Sequence, residues 1–248
     1  MENKEKTVQP HKPAEMSFFE HLGELRKRLL ITILSVAAGA FLTYYFSEQI
    51  FKILSEPYFA YFPENSLIGT GPAEAFILKI KVALFCSFLL TLPVTFLQLW
   101  LFIAPGLYDN ERKLAFPFIV IASFLFCAGV FACYKLILPF TLSFFMDQYT
   151  SIGVTPQIKI SEHLSLMMFA LAGFGAMFET PVLFYVLAKL RVLESKTLVA
   201  GWRYALITIF ILAAVLTPTP DVLTMFLFAF PLILLYCVSV MVVKLTYK

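Results

Sequence analysis

Three glutamates stand where a carboxylate needs a reason. Glu24 lies in Phe18-Phe19-Glu20-His21-Leu22-Gly23-Glu24-Leu25-Arg26-Lys27-Arg28-Leu29-Leu30. Glu20, Glu24 and Arg28 are spaced four apart and share one face of a helix, beside an apolar stripe of Phe18, Leu22, Leu25 and Leu29. That pattern suits an amphipathic lead-in laced with ion pairs. Glu111 lies in Ala104-Pro105-Gly106-Leu107-Tyr108-Asp109-Asn110-Glu111-Arg112-Lys113, a short turn between apolar blocks, where a solvated loop charge is the plain reading. A second reading joins the two. Glu24 and Glu111 at one membrane edge form an acidic site for a cationic ligand, because a carboxylate accepts both arms of a guanidinium fork. Glu179, in Met177-Phe178-Glu179-Thr180-Pro181, falls inside an apolar block. A charge at that depth costs several kcal/mol and faces an interior, a cavity or a partner. Pro181 loosens the helix beside it.

Other chemistry is missing. The chain has no phosphate-binding loop, HExxH, nucleophile elbow or GxGxxG, and His11, His21 and His163 are widely separated. Cys86, Cys127, Cys133 and Cys237 sit in apolar blocks with neither metal-ligand nor disulfide-framework spacing, and read as small buried hydrophobes. The reading is therefore of a non-enzyme with no cofactor and no metal. The many Phe side chains are lipid-facing or packing bulk. A net charge of +3 without a basic patch interleaved with aromatics gives no case for nucleic acid.

The elements that must position these residues are membrane spans. The chain is 60% hydrophobic and 14% charged, against about 45–50% and 25% in a soluble domain. The excess is gathered in long blocks, which predicts an all-α polytopic membrane protein in one domain. Residues 1–16, rich in Lys and Pro, read as a flexible tail, and 17–245 as a single transmembrane domain. Ser17-Phe18-Phe19-Glu20 reads as a capping box opening a helix that stands out of the membrane and then crosses it to Phe46. The first apolar run follows a long polar leader without a small-residue cleavage site, so it is expected to stay as an anchor. Further spans are expected over residues 76–104 (with Pro93 inside), 116–138, 163–188, 203–216 and 222–243, with polar segments at 48–75 and 139–162. The 203–216 block is short enough to be re-entrant instead. Ala170, Ala172, Gly173, Gly175 and Ala176 make a packing surface ahead of Glu179. With six crossings, most Lys and Arg fall on the side of both termini, which makes that side cytoplasmic.

Three stretches then resemble one family: Phe19–Arg28, then Gln98-Leu99-Trp100-Leu101-Phe102-Ile103-Ala104-Pro105-Gly106-Leu107-Tyr108 on to Glu111-Arg112, and Phe178-Glu179-Thr180-Pro181. Ser55-Glu56-Pro57 and Pro218-Thr219-Pro220-Asp221 fit its first outer loop and last outer turn. The chain is similar to TatC, the receptor subunit of the twin-arginine protein translocase. The resemblance implies a cupped fold of six transmembrane helices, the fifth and sixth short. It implies that Glu24 and Glu111 contact the two arginines of a signal peptide, with support from Phe102, and that Glu179 faces the concave interior. It also implies a hetero-oligomeric complex in the inner (plasma) membrane with small single-span Tat subunits (TatA/TatB type), moving folded precursor proteins on the proton-motive force. A proton-coupled carrier of small solutes would also use Glu179, but lacks support from an internal repeat or a discontinuous helix pair. A structural assembly factor is a third class.

Overall fold

The computed structural model describes residues 18–62, 67–104, 115–217 and 221–246. The expected tail, the cap residue Ser17, the turn holding Glu111 and the prolines of the last turn lie outside the described residues. α1 runs over Phe18–Tyr45, the length needed to begin at the interface and then cross. Runs 19–45, 115–151, 160–189 and 222–246 are each long and apolar enough to span, and α3 (Glu74–Leu90) with α4 (Leu92–Ile103) make a further span if that bent pair is one crossing. The chain is thus an all-α polytopic membrane protein.

Proline chemistry sets the breaks. A proline lacks the N–H that would bond the carbonyl four residues back, and its ring crowds that carbonyl. The second expected span is not one straight helix: α3 and α4 meet at 59° around Thr91, two residues before Pro93. α5 (Ala115–Ala132) passes through a wide π-type turn, Cys133–Ile137, into α6 (Leu138–Ser151), whose second residue is Pro139. α7 (Ile160–Phe178) hands over to α8 (Thr180–Lys189) at Glu179, with Pro181 as the second residue of α8.

The mixed and polar segments expected between the spans, 48–75 and 139–162, are partly helical. α2 occupies Ser47–Tyr61, and α6 extends the third span to Ser151. They pack on each other, with Tyr58 and Phe62 of α2 buried against Leu142 of α6. Both are too polar to be recognised alone, and each is held by the other. After α9 (Ser195–Ala200) come α10 (Trp202–Leu216) and α11 (Val222–Thr246). The expectation of two short final helices holds for α10, at 15 residues; α11 has 25 and is not short, since its apolar run continues until Lys244. Asp221 caps α11, its Oδ1 accepting from the Thr224 N–H at 2.7 Å and its Oδ2 from the Thr224 hydroxyl.

The two ends of the bundle are distinct. At one, Ile103, Ala104, Ala115 and Leu190 meet around Trp100 and Val186, while Ala188, Leu198 and Val243 form a neighbouring cluster. At the other, the Ile68 N–H donates to the Ile158 carbonyl and the Ile160 N–H to that of Ile68, both at 3.0 Å. Glu74 ties the same corner, accepting from the N–H groups of Thr70, Gly71 and Ser161.

The small residues before Glu179 permit close helix packing. A Cβ on Gly129 of α5 would lie 2.8 Å from the Phe174 carbonyl of α7, and one on Gly175 would enter the Phe126 ring. Gly173 receives Leu216 of α10. Phe174 then stacks edge-on to Phe228 of α11, their centroids 5.1 Å apart, at the centre of the largest apolar cluster.

Candidate functional site

α1 runs antiparallel to the bent pair α3–α4, and the contacts between them make a ladder. Thr43 donates its hydroxyl to the Ala83 carbonyl at 2.7 Å, and Ser87 donates to that of Val36 at 2.6 Å. Nearer the start of α1, Arg28 meets Gln98 and His21 stacks on Phe102, their ring centroids 4.3 Å apart and 18° from parallel. The bend at Thr91 turns α4 along the lead-in of α1, so that Gln98 and Phe102, one helical turn apart, face Glu24 and its neighbours.

Glu24 sits on this face with its side chain 19% exposed. Its Oε1 accepts from Arg28 Nη2 at 3.1 Å. Arg28 Nη1 donates to Gln98 Oε1 at 3.3 Å. Glu24 Oε2 and Arg28 Nε are buried with no hydrogen-bond partner among the described residues. The helical ion pair expected from spacing is therefore present, but with only one arm. A half-used carboxylate retains acceptor capacity for a second cation. Glu111 lies outside the described residues, so Glu24 and Phe102 are the two candidates that the structure brings together.

Glu179 is elsewhere, in a cavity of about 470 Å³ bordered by Thr180, Thr197, Thr208 and Tyr236. It stands at the junction of α7 and α8, ten residues and roughly 15 Å of helix from Lys189 at the end of α8. Pro181 leaves the Met177 carbonyl without its helical donor, and the Thr180 hydroxyl supplies one at 2.6 Å. The break is thus satisfied locally, and Glu179 takes no part in it through its side chain. Glu179 Oε1 is buried without a partner among the described residues.

Gln98 and His21 received no role from sequence reasoning. Gln98 is 8% exposed inside the apolar run of α4. A lone amide in such a helix signals a partner by the same argument that singled out Glu179. The His21 stack has no signal of its own, because it depends on the angle between α3 and α4.

A family model described as Sec-independent protein translocase protein (TatC) matches residues 20–231. The chain belongs to the TatC family. A TatC from Aquifex aeolicus (strain VF5) is 35% identical over 93% of this chain and 95% of its own length, and one from Deinococcus radiodurans is 38% identical over 94% and 88%. The crystal structure of a twin-arginine translocase receptor, TatC, superposes with a TM-score of 0.80 and 34% identity, covering 92% of this chain and all of that one. Membership of the TatC family makes this chain a multi-pass subunit of a protein translocase, a transport component and not an enzyme. It also implies assembly into a Tat complex.

Proposed function

We propose that this TatC-family chain binds twin-arginine signal peptides of folded precursor proteins at its cytoplasmic face and builds the translocation site with small single-span Tat subunits. The observation that carries the first half is the bare, buried Oε2 of Glu24, on a face completed by Phe102. An incoming guanidinium supplies the donor that this oxygen lacks, and a charged hydrogen bond of that kind contributes about 1.5–3 kcal/mol. Glu111 follows Phe102 by nine residues and takes the second arginine. Glu179 is the contact for a partner's transmembrane helix, its unpaired oxygen meeting a polar group there.

The same reading counts α10 and the α3–α4 pair each as a crossing, giving six, with residues 17–245 as one domain in the inner membrane and both termini cytoplasmic. The tail, Arg26, Lys27, Arg28, Arg112, Lys113, Lys189, Arg191, Lys196, Arg203, Lys244 and Lys248 then share the cytoplasmic side, and Lys52, Lys79, Lys81, Lys135 and Lys159 the other. The test is a titration of the purified, detergent-solubilised protein with a synthetic twin-arginine peptide. Saturable binding that disappears in Glu24→Ala supports a receptor, and absence of binding to the wild-type protein rejects one.

A further inference from the structure

The half-made pair between Glu24 and Arg28 has a chemical meaning. A guanidinium four residues after a glutamate on one helix is free to close both arms on the carboxylate. Arg28 does not. One arm, Nη2, reaches Glu24, and the other, Nη1, is drawn to Gln98 on the neighbouring helix. One carboxylate oxygen and the guanidinium Nε are left buried and bare. Gln98 is itself buried and sits one helical turn from Phe102, on which His21 stacks.

We propose that Arg28 is a resident stand-in for the ligand's arginine. It neutralises Glu24 while the site is empty, Gln98 keeps its grip to one arm, and a peptide guanidinium displaces it. The inference rests on the reading that Glu24 receives an arginine of the signal peptide. Gln98 is a positioning residue, acting on the ligand only through Arg28. The arrangement also sharpens selectivity. A fork can take the bare Oε2 and then the oxygen that Arg28 gives up, whereas an ammonium is a point charge and displaces a guanidinium poorly.

The test is a double-mutant cycle on the full chain in detergent, titrated with synthetic twin-arginine and twin-lysine peptides. Arg28→Gln removes the competitor and should tighten the twin-arginine peptide roughly fivefold or more. The twin-lysine peptide should gain more, so that the ratio of the two affinities narrows. Gln98→Leu frees Arg28 to close both arms on Glu24 and should weaken the peptide. In Arg28→Gln/Gln98→Leu the effect of Gln98→Leu should vanish. Arg28→Lys, whose single ammonium cannot bridge Glu24 and Gln98 as a fork does, should shift the ratio in the same direction as Arg28→Gln and stands in for it if that variant does not insert. Weaker or unchanged binding in the Arg28 variants, or a Gln98→Leu effect that survives without Arg28, overturns the proposal and leaves Arg28 as an orienting residue. Glu24→Ala separates the two levels. If it binds like wild type, the site itself is misassigned; if it loses binding while Arg28→Gln does not gain, only the stand-in is wrong.

Discussion

Glu179 should make the isolated protein less stable than it would be without it. Its Oε1 is buried without a donor among the described residues, and its side chain borders a cavity of about 470 Å³. An unsatisfied buried polar group costs about 1–3 kcal/mol, more when charged. Glu179→Gln keeps the shape and removes the charge. Glu179→Ala also removes the buried, unpaired oxygen, at the cost of the side chain's contacts beside the cavity. Both variants should therefore unfold later than wild type in detergent, by roughly 2–4 °C for each kcal/mol recovered. Neither should change affinity for a twin-arginine peptide, since Glu179 lies on α7–α8 and Glu24 on α1. Both should impair function in the assembled system, Ala more than Gln in transport or in crosslinking to the small Tat subunits. The assay is a thermal scan of purified protein beside a transport assay in membranes. Lower midpoints for both variants would mean that Glu179 has a stabilising partner within the chain, and would refute the argument. Equal damage by Gln and Ala would show that the charge itself matters and would point to a proton-linked role. Normal transport by both would reduce Glu179 to a tolerated carboxylate.

Helix packing gives a graded prediction: Gly129→Ala should cost about 1–3 kcal/mol, because its Cβ meets the Phe174 carbonyl at 2.8 Å, while Gly173→Ala should cost less, because it meets only the movable end of Leu216; equal unfolding midpoints would contradict this. Glu74→Ala should release the corner that Glu74 holds through the N–H groups of Thr70, Gly71 and Ser161, read as faster protease cleavage within residues 67–73. For topology, single cysteines at Lys6, Asn110, Ser195 and Lys248 should be protected from an impermeant thiol reagent in intact cells, and those at Asn65 and Ser151 should react. Against the expectation of burial, Cys127 and Cys237 are exposed, so the native cysteines must first be replaced. Labelling at Lys248 would reject six crossings.

The apolar blocks made the long helices legible, because a spanning helix must satisfy its own backbone and present apolar side chains all round. The packing role of Gly173 and Gly175 was legible for a related reason: small residues clustered on one turn leave room for a neighbouring helix. α2 and α6 were hidden because their stability is mutual. Tyr58 and Phe62 are buried against Leu142, residues about eighty apart in the chain. At the site, the four-residue spacing revealed the Glu24–Arg28 pair but not that one arm of Arg28 is diverted to Gln98. That diversion depends on the 59° bend between α3 and α4, and Pro93 announces a bend without fixing its direction.

If Glu24 and Glu111 receive the two arginines of a signal peptide, each carboxylate is needed for binding. Calorimetric titration of a twin-arginine peptide into purified wild-type, Glu24→Ala and Glu111→Ala protein tests it most directly, with a twin-lysine peptide as control. Each lost charged acceptor removes about 1.5–3 kcal/mol, or roughly a ten- to hundredfold loss of affinity. Both variants, correctly inserted, should lose specific binding, and the twin-lysine peptide should bind wild type poorly. Unchanged affinity in both variants would contradict the assignment.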